Sequence, residues 1–397
     1  MLVHAYYDED PRVRREAESL VAAGRPVDVF GLRRDGDAPR GELDGVTVHR
    51  LDVRRHQGAG LATYLLEYAA FLVRSSWALT RAYPRRRYAL VQVHTPPDLL
   101  AFAGLPLRLV GVPILLDLHE AMPEFFRSRF PRASNPIAHR LLLWSERLSI
   151  GLARRAVTVN QAMADRLVGL GVPGHKVGVV ANSPSLARFD AGRFQRRPFA
   201  EDGTVRLVYA GALTPTYEVD VAIRAVAELR SRRPELVIGF GVYGRGDAAV
   251  PWSALAAELG VQEVVTFHGR IPIEDVPLAI ARADIGIAPT RRDPFTDVSL
   301  STKVFEYAAM GKPVVASHLP MVERTFPKGT VRTYEPGDPL SLAAAIEAIV
   351  DDPLAREAAV ERTADIVAGA AWEREAEGYV ALVESLASDG TQRVSRA

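Results

Sequence analysis

The chain has 397 residues, 24% of them charged and 48% hydrophobic, and it contains no cysteine. That length suits two domains better than one core, and the missing cysteine removes disulfide frameworks, thiolate nucleophiles and Cys-ligated metals. The net charge of +1 hides an asymmetry: residues 1–190 carry +7 and the remainder −6, with Lys176 the one lysine of the first part.

Met1 to Tyr7 is a short apolar stretch that runs into Asp8, Glu9 and Asp10, unlike a signal peptide. Runs such as Val112 to Leu116 are far shorter than the roughly 20 residues of a membrane span. A cytoplasmic location is expected. Strands are predicted at Val27–Leu32, Val46–Leu51, Leu90–His94, Ile114–Leu118 and Ala156–Val159, each bounded by Gly, Pro or charge. Helices are predicted at Pro11–Gly24, Leu61–Ala82 and Ile137–Ala153, the first with Asp10 as N-cap and Pro11 at its first position. Residues 183–204 carry two prolines and little apolar period, and read as a linker.

A second alternating series follows. Strands are expected at Val205–Tyr209, Leu236–Val242, Val264–His268, Ile285–Ala288 and Val314–Ala316, and helices at Val219–Arg230, Ala254–Leu259, Pro277–Ala283, Lys303–Met310, Leu340–Val350 and Pro353–Ala368. Alternating short strands and amphipathic stretches predict an α/β chain with two Rossmann-like domains, 1–182 and 205–370, whose parallel sheets face across a cleft. A last helix, 371–390, is expected to pack back toward the first domain. Ligands of such sheets bind beyond the carboxyl ends of the strands, so the loops there hold the candidates.

Ser301 to Ala316 reads as a polar loop entering a helix that ends at Gly311. Early helical N–H groups attract anions, so a diphosphate can sit beside Ser301, Thr302 and Lys303. Glu306 can then accept from two ribose hydroxyls, or it is a surface Glu supporting the helix start. Gly211, Gly244 and Gly246 follow strands, as turn glycines or as close-approach points for a ligand. Tyr6-Tyr-Asp-Glu-Asp-Pro after the first strand lacks glycine, against a dinucleotide cofactor. No His, Asp or Glu spacing marks a metal site.

Lys303-Val-Phe-Glu-Tyr-Ala-Ala-Met-Gly-Lys-Pro-Val-Val-Ala resembles the donor signature of the retaining family-4 glycosyltransferases of the GT-B fold. Arg206-Leu-Val-Tyr-Ala-Gly-Ala-Leu, Gly244-Arg-Gly-Asp, Val265-Thr-Phe-His-Gly-Arg-Ile-Pro, His94-Thr-Pro-Pro-Asp and Leu116-Asp-Leu-His-Glu resemble other segments of that family in the same order. The resemblance implies a nucleotide-sugar donor as co-substrate, transfer with retention, and no essential metal. It implies Glu306 at the donor and His119 near the transferred sugar, with the loops of His94 and Glu120 on the acceptor side; beside it, His94 reads as a structural residue before Pro96-Pro97, and Glu124 as an acceptor-side carboxylate or a loop residue. Two positions depart from the pattern. The first of two glutamates often found in the family falls at Val298, with Asp297 adjacent. The Arg and Lys that many members place on the phosphates fall at Ala212 and Tyr217. The phosphate charge is then left to helix N-termini, Lys303, Arg245 and Arg270.

The acceptor is expected to be a saccharide, a lipid-linked saccharide or a small molecule. Arg74, Arg81, Arg85, Arg86, Arg87, Arg127, Arg129, Arg132, Arg140 and Arg147 lie among Trp77, Tyr83, Phe126, Phe130 and Trp144. Two readings stand: solvated helix faces, or docking on an anionic inner leaflet. Nucleic acid is not an expected partner, because the arginines are dispersed. The rival functions are a sugar-nucleotide epimerase of the same fold and a non-catalytic protein that binds a nucleotide sugar or a partner.

Overall fold

Asp10 accepts from the backbone N–H groups of Arg12 and Val13, both at 3.1 Å, and Pro11 takes the first helical position. The first helix therefore starts where its sequence signals place it. The computed structural model describes residues 1–56, 60–130, 133–195 and 197–394, with side chains through Ser388. Met1–Asn182 together with Arg374–Ala397 form one unit, and Ser183–Glu373 the other.

The first unit runs β1 (Leu2–Val3), α1 (Pro11–Ala22), β2 (Asp28–Leu32), β3 (Arg40–Leu43), β4 (Val46–Leu51), α2 (Leu61–Arg86), β5 (Val91–His94), α3 (Leu105–Leu109), β6 (Ile114–Leu118), α4 (Met122–Arg129), α5 (Pro136–Leu152), β7 (Arg155–Thr158), α6 (Gln161–Gly169) and β8 (Val177–Val179). Its sheet order is β3-β4-β2-β1-β5-β6-β7-β8, parallel except for the edge strand β3. The chain moves one way from β1 to β2 and the other way from β5 onward. The order reverses at β1 and β5, and right-handed crossovers put α2 and α5 on one side of the sheet and α1 on the other. Phe71 and Leu79 of α2, Leu100 and Ala101 of a 3₁₀ turn after β5, and Ile150 of α5 share one core with β1, β5 and β6. Helix α2 outlasts its predicted end and runs through Pro84, because Arg86 and Tyr88 both bind the buried Asp28 carboxylate and anchor the helix end.

The second unit runs β9 (Thr204–Ala210), α7 (Val219–Arg232), β10 (Val237–Tyr243), α8 (Ala249–Glu258), β11 (Val265–Gly269), α9 (Val276–Ala281), β12 (Ile285–Ala288), α10 (Thr302–Ala309), β13 (Val314–Ser317), α11 (Pro320–Thr325), β14 (Arg332–Tyr334), α12 (Pro339–Asp351) and α13 (Pro353–Gly369). Its sheet is parallel throughout, in the order β11-β10-β9-β12-β13-β14, so the order reverses between β9 and β12. The stretch predicted as a linker is packed: Phe189 is buried in one core with Val304, Phe305 and Val367. Apolar residues spaced too irregularly to show a period still reach that core.

Helix α14 (Trp372–Val394) begins in the second unit and continues in the first. In the second unit, the Trp372 N–H donates to the Pro184 carbonyl at 2.9 Å, and Glu373 accepts from Leu186 and Ala187. In the first, the Tyr379 hydroxyl donates to Gln92 at 2.6 Å.

Candidate functional site

The reversal between β9 and β12 gathers most of the donor candidates. Two loops interlock there. Gly211 donates to the Tyr243 carbonyl and Leu213 to the Arg245 carbonyl, both at 2.9 Å. Gly244 has φ +147°, and a Cβ on it would collide with the Gly211 carbonyl oxygen, while one on Gly246 would strike the Leu213 carbonyl. Both positions therefore require glycine for backbone to lie against backbone. The loop after β12 is tied by Asp293, which accepts from Phe295 and Thr296 at 2.8 and 2.9 Å, and by the Arg291 N–H on the Thr216 carbonyl.

Helix α10 opens onto this reversal. Its N-cap is Ser301, whose hydroxyl is buried and has no hydrogen-bond partner among the described residues. Two residues on, Lys303 is only 7% exposed and its side chain lies against Gly211, where a Cβ would overlap it. The Lys303 ammonium sits 3.9 Å from the centroid of the Tyr217 ring and 5.3 Å from that of Tyr209. The Tyr209 hydroxyl is turned to the Ala212 carbonyl at 2.6 Å. Among the described residues the ammonium meets aromatic faces and no carboxylate. Cation–π contact makes this position tolerable, and the charge is left available to an anion. A lone buried lysine, a helix N-terminus and an unpartnered hydroxyl converge on one spot.

Glu306 follows Thr302 by one turn on the half-buried side of α10, while the buried Tyr307 hydroxyl accepts from the Ala210 N–H at 3.0 Å. Asp297 faces Arg292 at 3.3 Å. Arg245 and Arg270 are exposed. Tyr217 and Ala212 stand where the family pattern has charge, and Tyr217 carries the Lys303 ammonium on its ring. The sequence names Lys303 but not this cage, because Tyr209, Tyr217 and Lys303 meet only once β9 and β12 are neighbours. A groove of about 360 Å³ lies on the sheet face beside Gly239 and Gly241, and none of the donor candidates lines it.

The loops of the first unit hold a different arrangement. Asp117, the fourth residue of β6, is fully buried and accepts from Arg12 Nε at 2.9 Å and Nη2 at 2.7 Å. Its Oδ2 also lies 3.1 Å from His94 Nδ1 and 3.2 Å from His119 Nε2. Glu16 lies 3.1 Å from Arg12 and accepts from Gln92 at 2.6 Å. Burial opposes the charge on Asp117, but Arg12 and the histidines outweigh it and hold its carboxyl well below the usual range. Burial lowers His94 to about 4, so that ring is neutral. His119 is also buried, but the Asp117 charge overcomes this and raises it. Glu16 is pushed by burial up to about 8 and Glu120 up to about 7.

His94, Asp117 and His119 bring three ligand-type atoms close enough for a metal ion. Both Asp117 oxygens already accept from the Arg12 guanidinium, and a second cation there would meet that charge, so the cluster is a hydrogen-bonded one. His94 is completely buried, and His119 keeps 16% of its side chain exposed. Glu124 is held by Arg166, which also binds Glu146. Arg12, Asp117 and Gln92 were not singled out from the sequence; the one signal was Arg12 and Glu16 at i, i+4 on one helix.

Comparison with known proteins agrees with this architecture. Residues 10–183 match the model of the glycosyl transferase 4-like domain and residues 204–352 that of glycosyl transferases group 1. The chain is 24% identical over 391 residues to a D-inositol 3-phosphate glycosyltransferase of Pseudarthrobacter chlorophenolicus, covering 94% of this chain and 90% of that one. It is 25% identical over 305 residues to an alpha-D-kanosaminyltransferase of Streptomyces kanamyceticus, covering 74% and 76%. Among solved structures, the sucrose-phosphate synthase of Thermosynechococcus elongatus has a similar fold, with TM-score 0.75 at 19% identity over 94% of this chain and 92% of that one. So does Anabaena HepE in complex with UDP-glucose, with TM-score 0.70 at 15% identity over 97% and 98%. Two α/β units with parallel-dominated sheets of this kind define the GT-B glycosyltransferases. The chain belongs to the group 1, 4-like glycosyltransferases.

Proposed function

We propose that the sugar donor is a nucleoside diphosphate sugar whose diphosphate lies at the start of α10. The observation that carries this reading is the Lys303 ammonium, buried beside Gly211 with no carboxylate among the described residues. Ser301 and the first N–H groups of α10 supply neutral donors to the same anion, and Glu306 accepts from the ribose hydroxyls. Lys303 replaces in space the Arg and Lys that the family pattern places at Ala212 and Tyr217. The relatives named above act on sugars, and HepE holds UDP-glucose, which supports the donor class.

Transfer proceeds with retention: the acceptor hydroxyl attacks from the face that the nucleotide leaves, and the leaving phosphate oxygen takes the proton. This route needs no strong protein base. The protein stabilises charge on the leaving group and positions the acceptor. His119, half-buried just after β6 and raised by Asp117, donates to a sugar hydroxyl, and Asp117 and His94 position it. Glu120 belongs to the acceptor side. The acceptor is a saccharide or lipid-linked hydroxyl in polysaccharide or glycoconjugate synthesis.

A thermal-shift panel of UDP, GDP, ADP and dTDP with their common sugars tests the donor. One nucleotide family should raise the melting temperature, by about 2.7 kcal/mol of stabilisation at a hundredfold excess over Kd, and Glu306→Ala should abolish most of that rise. No shift with any of them in folded protein sinks the donor assignment. With the donor known, proton NMR of the product's anomeric centre decides retention. Donor binding without turnover on any saccharide or lipid-linked acceptor would favour a non-catalytic binding protein.

A further inference from the structure

The exposed faces of α2 and α5 share an unusual composition. On α2 the exposed residues include Leu65, Leu66, Val73 and Trp77, with Arg74, Arg81 and Arg85 between and after them. On α5 they include Ile137, Leu141, Trp144 and Leu148, with Arg140 and Arg147. Trp77 is 65% exposed and Trp144 59%. Each helix contains a single acid, Glu67 or Glu146, and both are buried and paired, the first with His4 and the second with Arg166. Neither helix therefore shows a carboxylate to solvent.

Both helices lie on the same side of the first sheet, packed against the turn at Asp98–Gly104. Between them, Tyr64 of α2 meets Phe130 just after α4, with ring centroids 5.6 Å apart. The structure also redraws the set of aromatics read from the sequence. Phe126 is buried, Tyr83 packs on the core and Phe130 is half-buried, so Trp77 and Trp144 alone of the five stand out. Arg86 is tied to Asp28, and Arg132 lies outside the described residues.

We infer that this face docks on an anionic lipid surface. Aliphatic side chains and tryptophan partition into the headgroup boundary, and arginines reach past them to the lipid phosphates. A second copy of the same face would bring arginine against arginine with no acid of either helix to pair, the nearest exposed carboxylate being Asp52 beside Arg74, and a nucleic acid would leave the aliphatic residues without a role. No helix among the described residues is long and apolar enough to cross a membrane, so contact is at the surface. The inference does not rest on the donor assignment, which concerns the second unit alone.

The test uses the full chain with vesicles of phosphatidylcholine, alone or mixed with phosphatidylglycerol. Two of the four tryptophans, Trp252 and Trp372, are buried, so a blue shift of emission reports Trp77 and Trp144. Flotation with the anionic vesicles should be roughly tenfold or more above that with phosphatidylcholine alone, and should weaken as salt rises. Leu66→Glu with Trp77→Glu, and separately Leu141→Glu with Trp144→Glu, should each lower flotation by about tenfold or more. Arg74→Gln, Arg81→Gln and Arg140→Gln together should remove the preference for anionic lipid while keeping the fold. The thermal shift with the donor nucleotide should be unchanged in all three, so failure here is separable from failure of the donor reading. Folded protein that ignores anionic vesicles at low salt overturns the inference. So does wild-type flotation by both glutamate variants, or light scattering that shows a dimer broken by Trp144→Glu without any vesicle binding.

Discussion

Two cations sit near strand ends in the two units, and their surroundings are opposite. Arg12 is enclosed by Asp117 and Glu16 and donates to both oxygens of Asp117. Lys303 is enclosed by Tyr209 and Tyr217 and lies beside a glycine loop. A buried charge that has found its counter-ion inside the protein stabilises shape and holds neighbours in place. A buried charge that faces only rings gives the fold little and reserves its field for a ligand. The first unit thus presents a finished network with His119 at its edge, and the second an unfinished one.

Replacing the two cations should separate these roles. Arg12→Met leaves Asp117 buried without its partner and should cost about 3–5 kcal/mol of stability at neutral pH. Asp117 has a depressed folded pKa, so the stability it lends is present above the unfolded carboxyl value and is lost as pH falls through the folded one. The deficit of Arg12→Met, measured by denaturant unfolding, should therefore shrink toward acid. A deficit under about 1 kcal/mol would mean that the network is ornamental to the fold.

Lys303→Met should behave the other way. Apo stability should stay level or rise, because an unpaired charge has been removed from a buried position. Affinity for the donor nucleotide should fall by about 1.5–3 kcal/mol, roughly tenfold to a hundredfold in Kd. Calorimetric titration measures it, and wild-type affinity in this variant would erase the contrast between the two cations. Tyr217→Leu is the sharper probe. It should lower donor affinity by about 0.5–2 kcal/mol through loss of the ring that holds the ammonium, and unchanged binding would show that Lys303 needs no such support.

An effect of similar size to that of Tyr217→Leu, but on stability, concerns Glu120, which burial raises to about 7. Its unfolded pKa is lower, so the folded state holds the proton longer, and stability is lost as pH rises from about 4.5 to 7. Glu120→Gln should be neutral near pH 4 and stabilising by about 1–2 kcal/mol at pH 8. Melting curves at the two pH values check this, and an equal effect at both would mean that the carboxyl titrates normally.

Which parts could be read in advance follows from where the signal lives. Val46–Leu51 and Ile114–Leu118 match the observed strands to the residue, since the first alternates apolar with polar residues after a glycine and the second is a largely apolar run after a proline. The edge strand Arg40–Leu43 was missed because it pairs on one side only and shows no apolar face. Helix α6 was missed as well; Asn160 caps it by accepting from Met163, but its apolar period is short. At the site, Ser301, Lys303 and Glu306 were legible because they share one helix start. The Tyr217 cage and the Arg12–Asp117 pair were not, since each joins residues more than 80 positions apart. The Trp77 and Trp144 face lay between. Its residues were visible, and the helix phase that separates them from Phe126 was not.

Helix α14 also has a consequence for the order of synthesis. The second unit closes on itself within 183–373, with Trp372 bonded to Pro184. The first is complete only when Tyr379 reaches Gln92, 287 positions earlier. On the ribosome, the sheet that is made first must therefore wait, with the Gln92 side of its core uncovered, until the whole of the later unit has emerged and can already be folded.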